Sequence, residues 1–156
     1  MYMNSESEIS LSTAQIADLS SSYIDNGVKK DCWEILSVNV SEKALKAEIR
    51  MTSFFVSPTD AGGFHLTIFS TQEFLAQLAN IYLHVQANLK TKSRETWMRE
   101  CAITSRKVIR NPEKIQVEMS FLGLKKIQDS LVSIATCRVY DDQGGLFTAR
   151  LKGLLR

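Results

Sequence analysis

The sequence of 156 residues predicts an α+β fold in which an antiparallel sheet wraps around one long central helix. Near residues 71–89, apolar residues repeat at helical spacing, and no charged side chain stands between Phe74 and Leu89. The segments on both sides of this helix change to the two-residue alternation of strands. The length fits one domain. We expect residues 1–10 to form a flexible tail and residues 11–156 a single domain.

The composition excludes several classes of protein. Hydrophobic residues make up 44% of the chain and charged residues 23%, which disfavours disorder and coiled coil. No apolar run is long enough for a membrane span, and a formal net charge of +2 is too small to indicate nucleic acid as the main partner. Three distant cysteines and two histidines favour neither a disulfide framework nor a metal site. We therefore expect a cytoplasmic protein without metal or cofactor.

Before the long helix, the sequence predicts one short helix and two or three strands. Ser12 and Gln15 have the spacing of a capping box, and Asn26-Gly27 supplies a left-handed stop. The short helix places three apolar residues on one face: Ile16, Leu19 and Tyr23. Strands follow at residues 33–40 and 45–51, and residues 54–56 are a candidate short strand.

The long helix is predicted to begin with a second capping box, formed by Ser70 and Glu73. Its polar positions form one narrow stripe that contains no Lys or Arg: Glu73, Gln77, Asn80, His84 and Asn88. Helix positions that face solvent are normally rich in Lys and Glu. A stripe made mostly of amide side chains therefore indicates a helix largely enclosed by protein.

Four strands are predicted after the helix, at residues 97–103, 115–121, 131–140 and 146–155. The order of helix, strands, one long enclosed helix and four strands is that of the hotdog fold. Hotdog domains usually pair edge to edge, so we expect a homodimer or a higher homo-oligomer. The competing cone-shaped fold of the nuclear-transport-factor type places several helices before most strands, and this chain does not.

Three motifs resemble the long-chain fatty acyl-CoA thioesterase (FcoT-like) family of hotdog proteins. Gly63-Phe64-His65, followed by Gln77-Leu78-Ala79, is similar to the family's G-H-F…Q-L-A stretch. Ser105-Arg106 with Arg110-Asn111-Pro112-Glu113-Lys114 resembles its S-R…x-N-P-x-K turn, and Asp141-Asp142-Gln143-Gly144-Gly145 resembles its D-x-x-G-G hairpin. The resemblance implies a thioesterase that acts on acyl-CoA or acyl carrier protein thioesters in metabolism of the fatty acid or polyketide type.

The resemblance also assigns substrate-binding positions, and this chain departs from the family at most of them. The tyrosine at the end of the first helix is retained as Tyr23, whereas the family's second tyrosine falls at Thr59. Its two asparagines fall at Thr67 and Ala76, and Ala76 has no side-chain donor. The resemblance therefore supports an acyl-thioester ligand more strongly than catalysis, and a non-catalytic acyl-binding module stays open.

A shorter resemblance favours a different reaction. Glu73-Phe74-Leu75-Ala76-Gln77 is similar to the E-x-L-A-Q helix motif of hydroxyacyl-carrier dehydratases, whose Glu works with a His before a Pro-Gly turn. Here His65 precedes Leu66, and no Pro-Gly follows it. A hydroxyacyl-thioester dehydratase remains the alternative enzyme.

His65 is the first candidate catalytic residue, because imidazole can activate water near neutral pH for attack on a thioester. Glu73 is the second, either as a base or as the group that orients His65, with helix capping as the structural alternative. Gln77 could bind the acyl carbonyl. Gly62 and Gly63 would let a ligand approach the free N–H groups of the first helical turn, which could polarise the thioester oxygen.

A basic stretch between Lys90 and Lys114 carries eight basic and three acidic side chains. Within it, Arg106 and Arg110 precede the Asn111-Pro112 turn, where side chains can reach past the edge of the sheet. If the substrate is held through phosphopantetheine, these arginines would contact its phosphates or an acidic carrier. The structural alternative is a solvated strand face.

Overall fold

The computed structural model describes residues 9–21, 23–25 and 27–156. In this part of the chain, two helices and eight strands follow one another in the order α1 (Thr13–Leu19), β1 (Ile24–Asp25), β2 (Val28–Lys29), β3 (Cys32–Val40), β4 (Ala44–Ser53), α2 (Ile68–Gln86), β5 (Thr96–Lys107), β6 (Ile115–Ile127), β7 (Ser130–Tyr140) and β8 (Leu146–Leu155). The predicted tail lies mostly outside the described residues. Within these residues, no helix is long and apolar enough to cross a membrane.

Six of the strands form one antiparallel sheet in the order β3-β4-β6-β7-β8-β5, while β1 and β2 form a separate small hairpin. One face of this sheet packs around α2, and this arrangement confirms the predicted hotdog fold. All six main predicted strands are present, and the long helix lies three residues earlier in the chain than predicted.

The core lies between the inner face of the sheet and one side of α2. Along β4 and β6, buried residues alternate with exposed or half-buried ones, as expected of strands with one covered face. From the helix, Phe74 and Leu78 are fully buried against this face. Tyr82 stacks on Phe121 with ring centroids 3.4 Å apart, and its hydroxyl donates to the Glu42 carbonyl oxygen at 2.6 Å. These contacts fix the rotation of α2 about its axis.

The predicted enclosure of α2 is only partly correct, because one side of the helix remains uncovered in the single chain. Phe69 is 49% exposed, and Glu73 and Gln77 are exposed on the same side. His84 is buried, and its Nδ1 lies 2.9 Å from the Asn80 carbonyl oxygen. His84 is therefore a core residue.

The predicted capping box at Ser70 and Glu73 is wrong, because the helix begins one turn earlier. Thr67 is the N-cap, with an extended backbone, and its hydroxyl accepts the backbone N–H of Ser70 at 3.2 Å. Ser70 lies inside the first turn and is fully buried. The side chain of Glu73 instead bonds to Lys29 of β2 at 2.5 Å.

Two predictions for the first third of the chain also need correction. The Ser12–Gln15 capping box is confirmed, but α1 ends at Leu19, and its residues Ile16 and Leu19 are exposed. Asn26 lies outside the described residues, and Gly27, with φ +80°, stands in the turn between β1 and β2 instead of ending a helix. Residues 54–56 form no strand. There the backbone N–H of Phe55 donates to the side chain of Asp31 at 3.0 Å.

Candidate functional site

The candidate site lies in the loop between β4 and α2, immediately before the N-terminus of α2. A turn brings the backbone N–H of Gly63 to the carbonyl oxygen of Asp60 at 3.3 Å, and Gly63 has a φ of +79° that favours glycine. The backbone N–H of Gly62 donates to the Asp60 carboxylate at 2.9 Å. The N–H of Leu66 donates to the carbonyl oxygen of Ile109 at 2.9 Å, which attaches the loop to the segment after β5. The loop therefore holds Asp60 and His65 in a fixed relation.

His65 and Asp60 form a hydrogen-bonded pair at the centre of this site. The Nδ1 atom of His65 lies 2.6 Å from Oδ2 of Asp60, and the two side chains are 28% and 20% exposed. An ionised carboxylate can only accept, so this contact assigns the proton to Nδ1 and leaves a lone pair on Nε2. Among the described residues, Nε2 has no hydrogen-bond partner. The imidazole is thus oriented by one nitrogen and free to accept a proton at the other.

Arg110 holds the carboxylate of Asp60 with two hydrogen bonds. Its Nη1 and Nη2 each donate to one carboxylate oxygen of Asp60 at 3.3 Å. The hydrogen bonds from Arg110, from the Gly62 backbone and from His65 lower the pKa of Asp60 to about 2. Nη1 of Arg110 also donates to the carbonyl oxygens of Gly63 and Phe64, at 3.5 and 3.3 Å. Arg110 therefore ties the loop together and fixes the position of the Asp60 carboxylate beside His65.

Gly62 makes room for this arginine. A Cβ atom at residue 62 would overlap the guanidinium group of Arg110. The glycine is needed here for the approach of another side chain, and not for a positive φ.

Tyr23 also contacts the imidazole of His65. Its hydroxyl is 3.3 Å from Nδ1 of His65, and the two rings meet edge to face with centroids 5.1 Å apart. Burial raises the pKa of Tyr23, and the charges of Asp60 and Asp31 raise it further. The hydroxyl therefore stays protonated and can act as a hydrogen-bond donor. Thr59, also in the loop, shares a hydrogen bond with Ser57 at 2.8 Å between their hydroxyl oxygens.

Glu73 belongs to a separate cluster on the first turns of α2. Its carboxylate accepts from Lys29 at 2.5 Å and from Nε1 of Trp33 at 3.5 Å. Lys29 also donates to the hydroxyl of Ser70 at 3.2 Å. The carboxylate that contacts His65 is that of Asp60, so the expectation that Glu73 orients His65 is wrong.

The remaining predicted residues do not join the His65 cluster. The hydroxyl of Thr67 is engaged in capping α2. Gln77 lines a separate groove of about 170 Å³ between α2 and the ends of β5 and β8. Arg106 is exposed on β5, where its Nε donates to the hydroxyl of Thr148 at 3.3 Å. The structure thus brings together five of the predicted residues: Tyr23, Gly62, Gly63, His65 and Arg110. Gln77 and Arg106 make their contacts elsewhere.

The chemistry that this arrangement allows is general-base catalysis beside a helix N-terminus. Ile68 and Phe69 are the first two residues of α2, so their backbone N–H groups have no acceptor within the helix. Such groups stabilise negative charge on a bound oxygen. Within the described residues, no three His, Cys, Asp or Glu side chains are grouped so that they could hold a metal ion.

Burial argues against Cys101 and Cys137 as nucleophiles. It raises the pKa of Cys101 and raises that of Cys137 to about 12, so both stay thiols at neutral pH.

The fold has clear counterparts among solved structures, although no protein-family model matches the chain and no curated protein matches it by sequence. A thioesterase from Pseudomonas aeruginosa, solved as a mutant, superposes with a TM-score of 0.55 at 13% identity, covering 79% of this chain and 80% of that one. A probable thioesterase from Bartonella henselae gives a TM-score of 0.52 at 13% identity and covers 74% and 91% of the two chains.

A hypothetical thioesterase from Streptococcus pneumoniae, solved with coenzyme A, gives a TM-score of 0.50 at 8% identity over 80% of this chain and 88% of that one. At these identities the likeness is one of fold. The chain therefore has the hotdog fold of thioesterase-family proteins.

Proposed function

We propose that this protein is a thioesterase that hydrolyses acyl-CoA or acyl carrier protein thioesters of intermediate or long chain, in metabolism of the fatty acid or polyketide type. The observation that carries the proposal is the Asp60–His65 pair, which stands immediately before the N-terminus of α2. The hotdog fold supports it, since two structural neighbours that share this fold are named as a thioesterase and a probable thioesterase.

In the proposed reaction, Nε2 of His65 takes a proton from water as the water oxygen attacks the carbonyl carbon of the thioester. Negative charge collects on the former carbonyl oxygen, where the N–H groups of Ile68 and Phe69 stabilise it. When the tetrahedral intermediate collapses, the carbon–sulfur bond breaks and the imidazolium returns its proton to the leaving thiolate. The products are a carboxylic acid and a free thiol.

Three neighbours of His65 have supporting roles in this proposal. Asp60 holds the Nδ1 proton and stabilises the imidazolium that forms during attack. Arg110 acts as a positioning residue for Asp60, through the two hydrogen bonds to its carboxylate. Tyr23 offers a neutral hydroxyl to the substrate. Thr59 lies in the same loop as Asp60 and His65. These roles replace the asparagine donors of the FcoT-like pattern, which this chain lacks at Thr67 and Ala76.

The substrate carrier is a separate part of the proposal. The neighbour solved with coenzyme A supports an acyl-CoA substrate, and an acyl carrier protein offers the same phosphopantetheine arm. Arg106, exposed on β5, is available for a phosphate of either carrier.

We also propose that the chain works as a homodimer. In the sheet, β5 pairs with β8 on one side and forms an outer edge on the other. Trp97 on this strand is 56% exposed, and Phe69 is half exposed on the uncovered side of α2. Pairing of two β5 edges would cover both the unpaired backbone groups and these side chains.

The test is incubation of the purified protein with a panel of acyl-CoA and acyl carrier thioesters from 4 to 16 carbons, about the range of metabolic acyl chains. Release of free thiol together with free acid supports the thioesterase. An enoyl product from 3-hydroxyacyl thioesters would identify a dehydratase, and binding without turnover would identify an acyl-binding module. Either of these two results overturns the proposed reaction.

A further inference from the structure

The hairpin between β6 and β7 lies at an end of the sheet that the proposed reaction does not use. We call residues 122–130, at the end of β6 and the start of β7, the β6–β7 tip. The pairing of β4 with β6 ends at Ala44 opposite Ser120, with one more backbone bond from Phe121 to Lys43. Beyond this point, β6 pairs only with β7, which itself stays paired with β8 as far as Leu131, and residues 122–129 are all exposed. The tip is therefore a corner of the sheet in which β6 is an open edge, and only residues 127–130 lie beyond the pairing of β7 with β8.

Large apolar side chains lie on this exposed edge. Leu122 is 68% exposed, Ile127 54% and Leu124 38%. They border two shallow grooves of about 360 Å³ each. The groove on the helix side is lined by Glu42, Lys43, Tyr82, Gln86, Phe121, Leu122, Gly123 and Leu124. The groove on the outer side is lined by Leu122, Gly123, Lys125, Ile127, Val132, Ile134 and Lys152.

The charges of the tip are mostly positive. Lys125 and Lys126 stand next to each other at its end, and Lys152 borders the outer groove. Asp129 is the one carboxylate between residues 122 and 134, and its backbone carbonyl accepts a hydrogen bond from Arg94. The exposed apolar residues of α1 differ in this respect, since the only charged residue within 9–21 is Asp18. Cations and exposed apolar side chains therefore coincide at the tip.

We propose that the β6–β7 tip docks on the surface of an anionic lipid bilayer. A rigid protein partner would cover one groove, whereas a fluid interface can reach both grooves around the open β6 edge. Lipid phosphates attract the lysines and can accept the unpaired N–H groups of the open β6 edge. Leu122, Leu124 and Ile127 enter the boundary between headgroups and acyl chains. Docking of this kind would bring the protein to the membranes in which acyl chains partition, and it is independent of whether the protein hydrolyses thioesters.

The experiment measures co-sedimentation of the full chain with vesicles of 30% phosphatidylglycerol and 70% phosphatidylcholine, and with pure phosphatidylcholine. We expect binding to the anionic vesicles at low ionic strength that weakens as salt is added. Each lysine near an anionic surface increases partitioning onto the vesicles about fivefold. Because Lys125→Glu with Lys126→Glu reverses two such charges, it should reduce partitioning at least about tenfold. Leu122→Ser with Ile127→Ser should also reduce it, because the apolar contribution is lost.

The matched control reverses two other exposed lysines, Lys90→Glu with Lys114→Glu, and should bind nearly as well as the wild type. Circular dichroism should be unchanged in all variants, because the substituted residues are exposed. The proposal is overturned if the wild type does not bind anionic vesicles, or if the tip and control variants bind equally. It is also overturned if the tip variants change the oligomeric state on a sizing column, which would make the tip a contact between copies of the chain.

Discussion

Replacing Gly62 with alanine should separate Arg110 from Asp60 without unfolding the protein. Gly62 does not have a positive φ, so alanine fits the backbone there. The new Cβ would overlap Cζ and Nη1 of Arg110 and would stand 2.5 Å from Nη2, whereas ordinary contact begins at 3.4 Å. The guanidinium group must therefore retreat by at least about 0.9 Å, the shortfall at Nη2, which is the farthest of these three atoms. Because it is the far end of a flexible side chain, it can move without displacing the backbone, and the cost in stability is that of the hydrogen bonds it loses.

The retreat is enough to break both hydrogen bonds from Arg110 to Asp60. Their donor–acceptor distances are already 3.3 Å, and a contact beyond about 3.5 Å is no longer a hydrogen bond. The pKa of Asp60 should then rise from about 2 toward the ordinary value of 3.8. His65 keeps its direct contact with Asp60 but loses its rigid support. We expect kcat to fall about tenfold, the lower end of the cost of losing a group that supports a functional histidine.

The assay follows thiol release from a long-chain acyl-CoA, with the thermal midpoint as a check on folding. Gly123→Ala is the matched control, because a Cβ at residue 123 meets nothing within 4 Å. The double variant Gly62→Ala with Arg110→Ala should be no slower than Arg110→Ala alone, since both act on the same contact. The reasoning is refuted if Gly62→Ala keeps the full rate, or if its effect adds to that of Arg110→Ala.

Three further predictions concern stability and binding. Because Asp60 has a depressed pKa in the folded state, its contribution to stability is present above about pH 4 and is lost as the pH falls through about 2. In urea titrations between these pH values, Asp60→Asn should therefore lose less unfolding free energy on acidification than the wild type. An equal loss in both proteins would contradict the assignment. Thr67→Ala should cost about 1 kcal/mol of unfolding free energy, because it removes the N-cap of α2, whereas Gln72→Ala on the exposed side of the same helix should be nearly neutral in chemical denaturation. Arg106→Ala should raise KM for acyl-CoA up to about fivefold at low salt with kcat unchanged, as for an exposed ionic contact, and a KM that does not move would make Arg106 a solvated residue only.

The architecture could be predicted from the sequence because its signals are local. Strand alternation and the charge-free run between Phe74 and Leu89 depend only on neighbours along the chain. The start of α2 was placed wrongly because capping residues occur twice, at Thr67 and at Ser70. The choice between them depends on Lys29, which takes the carboxylate of Glu73 from 44 residues away.

The candidate site could likewise be predicted only where its residues are neighbours in the sequence. His65, Gly62 and Gly63 could be found because they stand together before the helix. Asp60 was missed, since an Asp before a glycine pair is first interpreted as a turn residue. Arg110 was expected to face a phosphate, but it is held by Asp60, 50 residues earlier, through a contact that only the tertiary fold creates.

The most direct test of the proposed chemistry is kcat for hydrolysis of a long-chain acyl-CoA by His65→Gln beside the wild type. Glutamine keeps a polar side chain in the loop but cannot accept a proton near neutral pH. If Nε2 of His65 activates water, kcat should fall at least about a hundredfold, the usual contribution of a general base, while KM changes little. A variant that folds normally and keeps a kcat within about threefold of the wild type, well short of that contribution, would contradict the role of His65.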